Sequence, residues 1–319
     1  MSDLRIVFMG TPDFAVAGLQ KLVENKYNIV GVITAPDKPA GRGQKLQQSA
    51  VKNYAQSQNL KVLQPTNLKD TSFIEELKSL NANLQIVVAF RMLPEVVWKM
   101  PKLGTFNLHA SLLPDYRGAA PINWAIIKGE TETGVSTFFI DEKIDTGAII
   151  LQEKLSISPE ENAGSLHDRL MHMGSDLILE TVKLIEKGPI ETRIQPKQEQ
   201  IHTAYKLDRT NTRIDWNCPI EEIHNLIRGL SPYPVAYTHF VNGDDKEHQL
   251  KVYAASKACN IDLVSNGTIG KIITKENKLF VAGIDGWMEL LEIQLSGKKK
   301  MQVKDLLNGF TFDQKAKML

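Results

Sequence analysis

Apolar residues run together in short blocks through the first half of the chain, and alternate with polar ones through the last third. Leu4 to Met9 (LRIVFM) is a mostly apolar run stopped by Gly10-Thr11-Pro12, the pattern of a buried strand. From Asp13 to Val23 the apolar residues Phe14, Val16, Leu19, Leu22 and Val23 fall at helical spacing, and Asn28 to Thr34 is strand-like again. Strand, helix and strand in such quick succession make a βαβ unit and predict a parallel sheet in an α/β domain. Leu84 to Phe90 and Leu103 to Leu108 predict two further strands, with room between them for only a short helix at Pro94 to Trp98. A helix over Pro121 to Lys128 and strands over Gly134 to Ile140 and Ala148 to Leu155 follow. Gly164 to Glu186 carries Leu166, Leu170, Met173, Leu177, Ile178, Val182 and Ile185 on one stripe, which predicts a long amphipathic helix closing this domain.

After Gly188-Pro189 the periodicity disappears. Ile190 to Lys206 is polar, contains Pro196, and reads as an extended linker. Beyond it a helix over Ile220 to Arg228 precedes short strands at Val235 to Val241, Gln249 to Ala255, Gly267 to Thr274, Lys278 to Ala282 and Trp287 to Leu295. Strands at that spacing, separated by turns, predict a small β-barrel. The expected division is therefore an α/β domain over residues 1–188, a linker over 189–207 and a barrel domain over 208–319.

Composition narrows the function classes. Hydrophobic residues make up 42% and charged residues 24%, which suits a packed core and excludes wholesale disorder. Lys and Arg number 38 against 37 Asp and Glu, so any polyanion site must be local rather than a property of bulk charge. The two cysteines, Cys218 and Cys259, form neither a CxxC pair nor a zinc spacing. The apolar start is too short for a signal peptide, and no later run is long enough to span a bilayer, so a cytoplasmic protein is expected.

Chemistry concentrates in two places. In Thr105 to Pro121 (TFNLHASLLPDYRGAAP), Asn107 and His109 stand two apart at the end of an expected strand, so both side chains share a face. Ligands of open parallel sheets bind beyond the carboxyl ends of the strands, which is where this pair lies. Asp141 to Gly147 (DEKIDTG) is either a tight acidic turn or the source of a carboxylate, Asp145, that faces His109; spacing leaves both open. The remaining histidines (His167, His172, His202, His224, His239 and His248) are scattered and suggest no metal. Gly10 to Phe14 lacks GxGxxG, and Gly41-Arg42-Gly43 is not followed by Gly-Lys-Ser/Thr, so neither a dinucleotide nor a P-loop reading is favoured.

Asn107, His109, Ser111-Leu112-Leu113-Pro114, Arg117-Gly118 and Asp145-Thr146-Gly147 together resemble the signature of folate-dependent formyltransferases. Gly10 to Ala15, Pro36 to Gly43, Ile214-Asp215-Trp216 and Gly297 to Met301 extend the resemblance over nearly the whole chain, to those members that act on methionyl-tRNA. The chain departs from the pattern at Ala89-Phe90-Arg91, Lys143, Trp124 and Gln47 to Ala50. The resemblance implies a Rossmann-like catalytic domain followed by an OB-like barrel. It implies catalytic Asn107, His109 and Asp145, and a folate segment at Ser111, Leu112, Leu113 and Pro114. It also implies tRNA contacts from the loop carrying Lys38, Arg42 and Lys45 and from the run Lys298, Lys299 and Lys300. The expected partners are 10-formyltetrahydrofolate as co-substrate and initiator methionyl-tRNA as acceptor, with no tightly bound cofactor, no metal and a monomeric state.

Formyl transfer is an acyl transfer, so negative charge grows on the formyl oxygen while the attacking amine must lose a proton. Asn107 and His109 are expected to stabilise that oxyanion, with Asp145 orienting His109 and helping to take the proton; His109 is equally able to protonate the departing N10. The rival readings are a sugar-nucleotide N-formyltransferase, expected to lack the basic loop at Pro36 to Lys45 and this barrel, and a glycinamide ribonucleotide formyltransferase. A catalytically silent OB-type RNA binder and a dehydrogenase are the alternatives from other classes.

Overall fold

Ile6 to Met9 are wholly buried, as an uninterrupted apolar run in a parallel sheet must be. In the computed structural model, which describes residues 4–40, 45–196, 201–243, 246–258 and 268–319, this strand (Arg5–Gly10) lies at the centre of a sheet. Its parallel neighbours are Asn28–Ile33 on one side and Leu84–Val88 on the other. Thr105–His109 pairs in parallel with Leu84–Val88, and Val62–Leu63 extends the sheet beyond Asn28–Ile33. Glu132–Phe139 and Ile149–Ser156 then add an antiparallel edge, so the expected parallel-rich sheet is found.

Helices Asp13–Glu24 and Ala163–Glu186 match their apolar stripes; Leu166, Leu170, Leu177, Ile178, Val182 and Ile185 are buried, while Met173 is only partly so. Helices Ala50–Ser57 and Thr71–Ser79 have short stripes that the periodicity does not reveal. Each nevertheless has a side-chain cap. Ser49 Oγ accepts from the Lys52 amide at 3.0 Å, and Asp70 accepts from the Ser72 and Phe73 amides.

The second sheet is antiparallel and nearly closes into an OB-like barrel. Its order runs Ile272–Lys275, Lys278–Ala282, Trp287–Leu295, Glu247–Lys257, Ala236–Val241 and Lys317–Met318. The last strand returns to the first: the Met318 amide donates to the Gly270 carbonyl at 2.8 Å, and Lys271 bridges Lys317. Helix Ile220–Leu230 covers the core with Ile220, Ile223, Ile227 and Leu230, against Phe240, Leu250, Met288 and Ile293.

Contacts divide the chain into two compact units whose limits differ from the expected 1–188, 189–207 and 208–319. One unit is residues 1–118, 132–156 and 167–203; the other is residues 119–131, 157–166 and 204–319. Helix Pro121–Ile127 groups with the barrel because Asn123 Nδ2 donates to the Gly229 carbonyl at 2.8 Å and Trp124 Nε1 to the Tyr205 carbonyl at 2.7 Å. Trp124, one of the departures from the family pattern, thus serves as an anchor inside that unit.

Candidate active site

Along Thr105–His109 the alternation holds. Phe106 and Leu108 are buried on one face, and Asn107 and His109 share the other at the carboxyl end of the strand. His109 is 7% exposed. Its Nε2 lies 2.8 Å from the Tyr116 carbonyl oxygen, which can only accept, so Nε2 carries the hydrogen. Nδ1 is left facing the Asp145 carboxylate, with Oδ2 at 3.8 Å. That separation exceeds a direct hydrogen bond, but a donor between the two atoms reaches both. The Asn107 amide oxygen is buried and has no hydrogen-bond partner in the protein.

Asp145 reaches the histidine from the loop between Glu132–Phe139 and Ile149–Ser156. Asp141 ties the loop across its length by accepting from the Lys143 amide at 3.0 Å and from Thr146 Oγ1 at 2.7 Å. Lys143, one of the departures from the pattern, is not in the left-handed region and so sits there without backbone strain, whereas Asp145 is in that region at φ 55°. Gly147 is obligatory: a Cβ there would lie 1.6 Å from the Phe139 carbonyl oxygen. The Gly118 amide donates to Asp145 Oδ2 at 3.0 Å and fixes the carboxylate.

Ser111 to Pro114 is tied inward. Ser111 Oγ donates to the Asp115 carbonyl, and Ser136 Oγ donates to the Ser111 carbonyl, each at 2.6 Å. The Leu113 amide donates to Ser136 Oγ, and Gln152 Nε2 donates to the Leu113 carbonyl. Leu113 packs with Phe138 and Ile149, and only Leu112 of the four residues keeps partial exposure. The segment therefore shapes the wall beside His109. Arg91, another departure, donates to the carbonyls of Thr66 and Pro65, with its guanidinium 5.6 Å from the Phe90 ring centroid.

The expected tRNA residues fall on two elements, one in each unit. Lys38 is exposed on a ribbon of Lys38–Ala40 paired with Lys45–Gln47, and Arg42 lies outside the described residues. At the foot of the ribbon, Lys52 and Gln64 donate to the Asp37 carboxylate and hold it below the usual carboxylate range. Lys298 and Lys299 are exposed; Lys300 is engaged by Glu292 at 2.8 Å and sits 4.9 Å from the Tyr253 ring centroid.

Three of the scattered histidines face carboxylates: His167 with Asp168, His202 with Asp115, and the buried His224 with Glu160 at 3.3 Å. Sequence reasoning missed Gln195, which is buried and bonded to the Asp145 loop, because it falls in a polar stretch without periodicity. Among the described residues no group of three or more His, Cys, Asp or Glu side chains could hold a metal ion, and no helix is long and apolar enough to cross a membrane.

Comparison with known proteins bears on this geometry. A family described as formyl transferase matches residues 4–182, and one described as formyl transferase, C-terminal domain, matches residues 206–311. The methionyl-tRNA formyltransferase of Flavobacterium johnsoniae is 59% identical, with all of both chains covered. That of Bacteroides fragilis is 50% identical over 99% of this chain and 98% of its own. Among solved structures, the sugar 3N-formyl transferase WlaRD, crystallised in the presence of dTDP and 5-N-formyl-THF, aligns with a TM-score of 0.64 at 22% identity. That alignment covers 93% of this chain and 99% of WlaRD. HypX from Aquifex aeolicus in complex with tetrahydrofolic acid aligns with a TM-score of 0.65 at 18% identity, over 96% of this chain and 47% of its own. The fold likeness to WlaRD runs through both units, so possession of the barrel does not separate the two acceptor classes as the sequence reasoning expects.

Proposed function

The chain belongs to the formyl transferase family, and from that premise we propose that it transfers a formyl group from 10-formyltetrahydrofolate to the free amino group of initiator methionyl-tRNA. The acceptor is supported by full-length identities of 50–59% to proteins of that name, far above the 22% to the sugar transferase. The chemistry is supported above all by one observation: His109 and Asp145 face each other at 3.8 Å beside an unpartnered Asn107 amide oxygen.

In our reading, the amine of the methionyl ester attacks the formyl carbon, and charge moves onto the formyl oxygen. Asn107 Nδ2 and the Nδ1–H of a protonated His109 donate to that oxygen, while the Asn107 amide oxygen accepts from the attacking amine and the Tyr116 carbonyl keeps the ring oriented through Nε2. Asp145 stabilises the charged ring and accepts the proton lost by the amine. His109 then gives its Nδ1 proton to the departing N10, the N10–carbon bond breaks, and the new amide and tetrahydrofolate leave. A proton passing from Asp145 back to His109 restores the start. Leu112 and the wall built by Ser111, Leu113 and Pro114 border the folate.

The unit of residues 1–118, 132–156 and 167–203 acts as the catalytic domain and the unit carrying the barrel as the tRNA-binding domain, with Lys38, Arg42, Lys45, Lys298 and Lys299 at the polyanion contacts and Lys300 held in its run by Glu292. The enzyme works as a monomer in the cytoplasm without a tightly bound cofactor. The test offers 10-formyltetrahydrofolate with methionyl-tRNA, uncharged tRNA and an amino-sugar nucleotide in turn. Formylation of methionyl-tRNA alone is expected. Formylation of the amino sugar in its place would keep the chemistry and overturn the acceptor.

A further inference from the structure

Asp145 occupies the left-handed backbone region, which a residue with a Cβ rarely adopts unless outside bonds hold it there. Asp141 braces the loop from within, accepting from the Lys143 amide and from Thr146 Oγ1 next to Asp145. The backbone carbonyls of Asp145 and Gly147 are held from outside by a side chain of a distant stretch. Gln195, 7% exposed, donates through Nε2 to the carbonyls of Asp145 at 3.0 Å and Gly147 at 2.8 Å. Its Oε1 accepts from Arg117 Nε at 3.2 Å and Nη2 at 2.6 Å. Arg117 immediately precedes Gly118, whose amide is the backbone donor to Asp145 Oδ2. One amide group therefore holds both partners of the hydrogen bond that aims the carboxylate at His109. The Gln195 stretch is itself anchored to the sheet edge, since Arg193 and Ile149 exchange backbone hydrogen bonds at 2.8 and 2.9 Å.

We propose that Gln195 is a positioning residue for formyl transfer: it sets the direction of the Asp145 carboxylate by clamping the Asp145–Gly147 backbone to Arg117-Gly118. The inference rests on the role given to Asp145 above. The clamp requires a donor and an acceptor on a side chain of this length. Glutamate keeps the length, the volume and the bonds to Arg117 but turns a charge onto two carbonyl oxygens. Asparagine keeps both functions but is one methylene short.

The test compares Gln195→Glu, Gln195→Asn and Gln195→Ala with Asp145→Asn, the double variant Asp145→Asn/Gln195→Glu, and Ile194→Ala at the exposed neighbouring position. Steady-state kinetics and Tm are measured for each. Displacing a catalytic group by about 1 Å costs roughly 10²-fold, so kcat of Gln195→Glu is expected to fall by about 10- to 100-fold with KM for both substrates within about threefold. Gln195→Ala falls similarly, Gln195→Asn less, and Ile194→Ala keeps wild-type kinetics. The double variant is no slower than Asp145→Asn, because the two residues act as a unit. A crippled Asp145→Asn beside Gln195 variants of wild-type kcat would overturn the clamp and leave the site reading intact. So would a Gln195→Ala that loses Tm while Gln195→Glu keeps full kcat, since the side chain would then only fill space. A fully active Asp145→Asn would overturn the role of Asp145 and the clamp with it.

Discussion

Asn107 presents a buried amide oxygen without a protein partner, a costly arrangement of about 1–3 kcal/mol for a group that folding alone would have satisfied. In the proposed site this oxygen accepts from the attacking amine, and the same amide's Nδ2 serves the formyl oxygen. Because one oxyanion donor is typically worth ~10²–10³ in turnover, Asn107→Ala is expected to lower kcat by that factor, and a loss of only a few-fold in a steady-state assay would remove it from the oxyanion site. His224 has a different effect. Burial pushes its imidazole below the ordinary value of 6.5, an effect the Glu160 carboxylate opposes and Lys257 and Arg228 reinforce. The unfolded chain therefore takes up this proton at higher pH than the folded one, so stability is complete above the ordinary value and declines as pH falls below it. Thermal unfolding from about pH 7 to about pH 5 should show a falling Tm in the wild type and a shallower fall in His224→Gln. Equal slopes would remove His224 from the acid sensitivity. The pairing of Asn107 with His109 on one face is legible in the sequence, since strand period alone dictates it. The approach of Asp145 is not, because it depends on a left-handed turn and on Gln195, fifty residues further along in a stretch that has no pattern.

At the scale of elements, legibility follows the length of the apolar run. Arg5–Gly10 and Leu84–Val88 are central and continuous, and the expected limits differ from the observed ones by only a residue or two. Helices Ala50–Ser57 and Thr71–Ser79 bury few side chains and escape a periodicity argument, although their caps Ser49 and Asp70 are visible signals. Two-residue strands such as Met301–Gln302 and Lys317–Met318 carry no pattern at all, yet the latter closes the barrel. That closure depends on Gly270, at φ 79°, where an added Cβ would lie 2.4 Å from the Met318 carbonyl oxygen. Gly270→Ala should cost about 2 kcal/mol or more in denaturant unfolding, because strained φ and backbone collision add. A variant as stable as the wild type would show that the last strand does not close the barrel.

For the molecule as a whole, near-zero net charge leaves tRNA affinity to local clusters. Lys300 is already engaged by Glu292 and Tyr253, whereas Lys298 and Lys299 stand exposed. Removing the latter two should reduce the slope of log affinity against log salt by about 0.7–0.9 per lost phosphate contact, with Lys300→Ala changing it little. An unchanged slope in Lys298→Ala/Lys299→Ala would take the run out of the interface. Architecture is shared with sugar transferases, so the acceptor is written in residue identities rather than in fold. The measurement that bears most directly on the account is the single-turnover rate of formyl transfer from 10-formyltetrahydrofolate to methionyl-tRNA, compared between the wild type and His109→Ala at saturating substrates. The account predicts product from the wild type and a rate lower by about 10² or more in the variant, since charge stabilisation and proton delivery to N10 are lost together. Equal rates would contradict it.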